Sequence, residues 1–167
     1  MIDLKSYIRD VADFPRPGIL FRDISPLLRE EFGETIGALS ALLDTDEWSQ
    51  VDAIAGVESR GFILGAALAL RHGKGFVLVR KKGKLPPPVV GLPYGLEYGQ
   101  GVLEMQPGTG RLLLVDDVLA TGGTLHATAA LAEMAGYTVL HTIVLLDIKL
   151  EPSFRWDRPQ VRAALHY

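Results

Sequence analysis

The chain has 167 residues, 48% of them hydrophobic and 22% charged, with a formal net charge of −3; a chain of this length buries roughly 70% of its unfolded surface, enough for one domain spanning residues 1–167. The weak negative balance gives no global field to draw the protein onto nucleic acid or anionic lipid, so any polyanion site must be local. The absence of cysteine excludes a disulfide framework, thiolate catalysis and cysteine-based zinc sites, and with neither an apolar leader nor a run of about 18 apolar residues the chain is expected to be soluble and cytoplasmic.

In chain order, MIDLKSYIRDVADF reads as a short amphipathic helix, and Thr35 to Trp48 as another, with Glu34 as a first-turn anion. VDAIAGVESRG then leads into FILGAALALRHG, KGFVLVRKKGK follows, RLLLVDDVLATGG leads into TLHATAALAEMAG, and YTVLHTIVLLD closes the series. These apolar runs are continuous rather than alternating. They predict strands covered on both faces, and so an α/β fold with a mostly parallel sheet flanked by helices. Between Lys81 and Gln106 the pattern gives way to proline, glycine and tyrosine. A connection of about 25 residues with weak periodicity reads as a flexible active-site loop, with room for short strands. His72, His126, His141 and His166 lack metal-ligand spacing and are assigned to structure or surface, as Trp48 and Trp156 are to core or interface. The tail from Leu150 to Tyr167 carries no motif; it is expected to pack on the core or at a subunit contact.

The stretch RLLLVDDVLATGGT, Arg111 to Thr124, carries the clearest chemistry. Gly122 and Gly123 stand where a strand gives way to a helix, so successive backbone N–H groups converge and the helix N-terminus adds positive potential. Thr121 and Thr124 can add hydroxyl donors. The loop lacks a P-loop lysine and does not fit G-x-G-x-x-G, so triphosphate hydrolysis and dinucleotide binding lose support. Asp116 and Asp117 would repel an anion held there unless they face sugar hydroxyls or a divalent cation. A ribose 5-phosphate meets both demands. A bare Gly-Gly turn reads first as a plain strand–helix junction with solvated strand-end charges; the full stretch reverses that preference.

VDDVLATGGT resembles the phosphoribosyl-pyrophosphate signature of the type I phosphoribosyltransferases, and FPRPGILFRDISPLL, IAGVESRGFILG, VLVRKKGKLP and YGLEYG resemble, in the same order, segments of that family's adenine-specific members. The resemblance runs from about Phe14 to Asp147 and implies transfer of phosphoribose to adenine, giving AMP and pyrophosphate, with Mg²⁺ held mainly by substrate and water rather than by a protein cage. It implies that Ala120, Thr121, Gly122, Gly123 and Thr124 hold the 5-phosphate, and that Asp116 and Asp117 take the ribose and metal side. Pyrophosphate falls to Ser59, Arg60, Gly61, Lys81 and Lys84, with Arg80 contributed by the partner subunit of a homodimer. Leu20, Phe21, Arg22 and Val118 are implied for adenine, Glu97 for proton transfer at the purine, and Tyr94 and Tyr98 for closing the loop. Alone, ESRG reads as a strand-end turn, RKKGK as a solvated charge run and Glu97 as a surface carboxyl. Two other functions stay open: the same chemistry on hypoxanthine, guanine or xanthine, and a regulator that senses phosphoribosyl pyrophosphate without turning it over.

Overall fold

The computed structural model describes residues 2–96, 99–148 and 160–167. It begins with a 3₁₀ turn, Leu4–Tyr7, whose cap Asp3 accepts a hydrogen bond from Lys5 N at 3.1 Å. The chain then enters β1 (Arg9–Ala12), antiparallel to β2 (Leu20–Asp23). The N-terminal amphipathic helix expected from the sequence is therefore a single turn. From Arg9 onward the backbone pairs with β2 instead, and the cross-strand ion pairs Arg9–Asp23 and Arg22–Asp10 hold the two strands in register.

Three helices follow, α1 (Ser25–Glu30), α2 (Phe32–Ser40) and α3 (Thr45–Gln50). Glu34 lies in the first turn of α2, but the one helix expected from Thr35 to Trp48 is broken in two. Asp44 accepts from Glu47 N at 2.8 Å while Glu47 Oε2 accepts from Asp44 N at 3.0 Å, a capping box that starts α3 afresh. Trp48 is buried, stacks on His72 at 3.6 Å between ring centroids and donates from Nε1 to Ser40 O at 2.9 Å.

The remaining elements are β3 (Ala53–Val57), α4 (Arg60–His72), β4 (Gly75–Lys81), β5 (Val90–Leu96), β6 (Gly99–Met105), β7 (Gly110–Leu119), α5 (Gly123–Met134), β8 (Tyr137–Asp147) and β9 (Arg162–His166). They form a sheet in the order β5-β6-β4-β3-β7-β8-β9. From β4 to β9 neighbouring strands run parallel, while β5 and β6 form an antiparallel hairpin on the end of β4. The aperiodic stretch after Lys81 thus contains two strands. The run LLLV in β7 is apolar without alternation because both its faces are covered. Leu113 and Val115 pack with Leu64 and Leu68 of α4, whereas Leu112 and Leu114 pack with Ala129 and Leu131 of α5. No described helix is long and apolar enough to cross a membrane.

The described part of the tail packs on the core: β9 adds to β8, and Arg162 donates to both Glu47 oxygens at 2.8 and 2.6 Å and to Leu42 O at 2.7 Å. The Arg162 hydrogen bonds hold the Glu47 carboxyl down at about 2 from its ordinary 4.5. A carboxyl lowered in the folded state stabilises above its unfolded pKa and loses that contribution as pH falls through the folded one. Replacing Arg162 with Met should therefore lower Tm by about 2–4 °C at neutral pH, and the gap should narrow below pH 4.5. A gap of constant size in thermal melts down to acid pH would show that the ion pair contributes nothing.

Candidate active site

The carboxyl ends of the parallel strands β3 and β7 face a common crevice, the usual place for a ligand in such a sheet. A cavity of about 330 Å³ lies there. The turn from β3 into α4 contributes Glu58, Ser59 and Arg60; β7 contributes Asp116 and Asp117. Thr124 brings the first turn of α5 to the wall, and Lys81 and Tyr94 close the cavity from the β4 and hairpin side. The structure thus gathers residues from four separated sequence segments.

The acid pair is held tightly. Asp117 N donates to Asp116 Oδ1 at 2.9 Å, and Arg60 Nε lies 2.7 Å from Asp117 Oδ2. That oxygen is buried without an aligned hydrogen bond. Burial, and after it the neighbouring Asp117 carboxylate, push the Asp116 carboxyl well above the usual range. The pair resists carrying two full charges, which eases the repulsion that a nearby phosphate would feel. Gly61 makes the close approach possible, since a Cβ there would lie 3.0 Å from Val115 O and 3.1 Å from Asp116 Oδ1. Its place in ESRG has a packing reason beside any ligand role.

At the other end of the crevice, Gly122 starts α5 with φ +82° and no side-chain cap. That backbone favours glycine, and the first-turn N–H groups of α5 have no intrahelical partner, with Gly123 N 3.5 Å from Thr121 Oγ1, the arrangement an anion can use. Ala120 and Thr121 form the bend between β7 and Gly122, and Gly123 is the first helical residue.

Glu58 was not singled out from the sequence, yet it organises the cations. Its carboxylate pairs with Lys84 Nζ and with Arg80 Nε at 3.4 Å, and it accepts from Lys81 N at 3.0 Å. The Lys84 contact leads the causes that hold its carboxyl down at about 2. Across the turn, the largely buried Glu104 accepts from Gly83 N at 3.1 Å. The RKKGK segment, read alone as a solvated run, is therefore pinned by two carboxylates. The register Val57 opposite Val79 sets Glu58 beside Arg80; only that pairing, invisible in a local pattern, would have revealed it.

Leu20, Phe21 and Arg22 lie on β2, outside the main sheet. The Phe21 ring meets Phe14 edge-on at 5.1 Å and the Arg60 guanidinium at 5.2 Å, so Arg60 spans from this aromatic pair to Asp117. With Val11 and Asp23, the two rings border a second cavity of about 330 Å³. Val118 is half-buried on β7 and packs against the core. Glu97 and Tyr98 lie outside the described residues, as does Trp156.

Residues 27–162 match the family described as Phosphoribosyl transferase domain. The chain is 50% identical over 165 residues to the adenine phosphoribosyltransferase of Hydrogenovibrio crunogenus, covering 98% of this chain and 96% of that one. It is 48% identical over 167 residues to that of Bdellovibrio bacteriovorus, covering 99% and 100%. Among solved structures it is similar to the adenine phosphoribosyltransferase of Thermoanaerobacter pseudethanolicus, with a TM-score of 0.89, 40% identity and 98% of each chain covered. The Saccharomyces cerevisiae enzyme, crystallised with an imino-altritol bisphosphate and adenine, gives a TM-score of 0.88 at 35% identity over 97% of this chain and 96% of that one. Sheet order, crevice and relatives agree: the chain belongs to the phosphoribosyltransferase family.

Proposed function

We propose that this protein transfers the phosphoribosyl group of phosphoribosyl pyrophosphate to adenine, giving AMP and pyrophosphate, as a purine-salvage transferase of the cytoplasm. The observation that carries the reading is the cavity in which Asp116 and the buried Asp117 stand between the start of α5 and the cations Arg60 and Lys81. The 5-phosphate takes the backbone N–H groups from Ala120 to Thr124, with hydroxyls of Thr121 and Thr124 as further donors. The ribose 2- and 3-hydroxyls donate to Asp116 and Asp117. The pyrophosphate lies against Ser59, Gly61, Arg60, Lys81 and Lys84, which gain strength as charge develops on it.

As the C1–O bond breaks, its electron pair leaves with pyrophosphate and the purine nitrogen forms the new bond to C1. Glu97 accepts the proton that this nitrogen loses. Phe21 stacks on the base opposite Val118, and the backbone of Leu20 and Arg22 reads its edge. A fixed carbonyl there accepts from the 6-amino group of adenine and leaves an oxo-purine with unpaired polar atoms. Tyr94, whose ring packs over Gly101 at the cavity wall, and Tyr98 exclude the water that would hydrolyse the activated sugar. Mg²⁺ on the pyrophosphate would offset its charge, with Asp116 and Asp117 holding the ion through water. The buried, unaligned Asp117 Oδ2 supports that fit. Among the described residues no cluster of three His, Asp or Glu forms a cage.

A homodimer is part of the reading, with Arg80 extending from Glu58 toward the partner's site. Exposed Ile63 and Leu70 of α4 and Leu78 of β4 support an apolar contact face.

A base panel assayed with radiolabelled donor should give AMP from adenine and little product from hypoxanthine, guanine or xanthine; a preference for an oxo-purine would overturn the assignment, and donor-dependent thermal stabilisation without AMP would favour a sensor. Replacing Glu97 with Gln should lower kcat about 10²- to 10⁴-fold while donor KM changes little. Unchanged kcat would remove Glu97 from the chemistry. Asp116→Asn with Asp117→Asn should raise donor KM and lower kcat together, and kinetics equal to the parent's would refute the hydroxyl contacts.

A further inference from the structure

The strand β2, which carries Leu20, Phe21 and Arg22, belongs to a two-stranded sheet separate from the main one. Something must fix its height over the cavity. A hydrogen bond to a base edge is lost over a few tenths of an ångström, and misplacement by about 1 Å can cost a hundredfold in rate. On the face of Phe21, the contact is the Arg60 guanidinium. On the opposite face, the side chain of Arg22 points away from Phe21 and lies over the ring of Tyr167, 4.3 Å from its centroid.

The position of Tyr167 is set by the sheet. Its N–H donates to Asp147 O at 2.9 Å, continuing the β8–β9 ladder. Asp147 is paired in turn with Leu119, at the end of the strand that carries Asp116 and Asp117. The Tyr167 ring is half-buried against the core cluster, and Lys5 Nζ stands 4.9 Å from its centroid. Arg22 meanwhile forms an ion pair with Asp10 of β1. One guanidinium thus joins both strands of the small sheet to the Tyr167 ring, and that ring is keyed to the strand end beneath the ribose site.

We propose that Tyr167 is a positioning residue for the nucleobase: its ring holds Arg22, and through it the Leu20–Arg22 backbone, at the height from which that backbone reads adenine. The proposal rests on the assignment of Leu20–Arg22 to the base. It touches neither phosphate site, so its signature is confined to one substrate. Tyr167 is not itself a catalytic residue.

The test is a steady-state comparison of the parent with Tyr167→Leu, Tyr167→Phe, Arg22→Met and the double variant Tyr167→Leu/Arg22→Met. Tyr167→Leu should raise the adenine KM about tenfold, with kcat and the phosphoribosyl pyrophosphate KM within about twofold of the parent's. Tyr167→Phe keeps the ring and should restore the parent's adenine KM. Arg22→Met should raise it at least as much, since the Asp10 pair is lost as well, and the double variant should add nothing to Arg22→Met. An unchanged adenine KM in Tyr167→Leu, an equal rise in both KM values, a failure of Phe to rescue, or additivity in the double variant would each overturn the proposal. Should Tyr167→Leu not fold, Arg22→Met and Tyr167→Phe decide: the adenine KM must rise in the first alone. If the parent prefers another base, the adenine reading fails by itself, and the same series run with that base still judges Tyr167.

Discussion

The contact between Arg60 Nε and Asp117 Oδ2, 2.7 Å long, joins the two strand ends between which the cavity lies. Asp117 is 6% exposed, and a carboxylate so placed is costly unless a cation stands beside it. Arg60 supplies that charge from the first residue of α4, and α4 can come near enough only because position 61 lacks a Cβ. The same guanidinium rests on Phe21. Sheet, helix start and the small sheet above the crevice are therefore tied through a single side chain.

Around that contact the charges are sorted by sign and by range. Asp116 is pushed toward its protonated form by burial and by Asp117, so the sugar side of the cavity is less negative than two adjacent aspartates suggest. Arg80 and Lys84 of the RKKGK turn are gathered by Glu58, which also accepts from Lys81 N, and the turn itself is held by Glu104. Arg80 and Lys84 are thus held before an incoming polyphosphate arrives, which lowers the entropy lost on binding. The overall charge of −3 leaves this local arrangement as the source of anion affinity.

Much of this was legible locally. YTVLHTIVLLD coincides with β8, and the junction VESRG-to-helix and the ATGGT turn lie where the continuous apolar runs end. In such segments burial on both faces leaves an unbroken pattern that needs no knowledge of the partner. What escaped depends on partners distant in sequence. Arg9–Ala12 is a strand only because Leu20–Asp23 lies beside it, and Glu58 matters only because β4 pairs with β3. Tyr167 acquires a role from Arg22 and Asp147, which no window around it contains. The break at Asp44 is different: its signal, Asp44 followed by Glu47, was present locally and was outweighed by the apolar spacing across it.

The central claim is a division of labour in one crevice, with the α5 amides on the phosphate and the acid pair on the sugar. A crystal structure of the complex with ribose 5-phosphate tests it most directly. The account predicts phosphate oxygens within hydrogen-bond reach, about 2.7–3.2 Å, of N–H groups between Thr121 and Thr124, and the 2- and 3-hydroxyls on Asp116 and Asp117. A sugar bound with its phosphate on Lys81 or Lys84 and its hydroxyls away from both aspartates would contradict it.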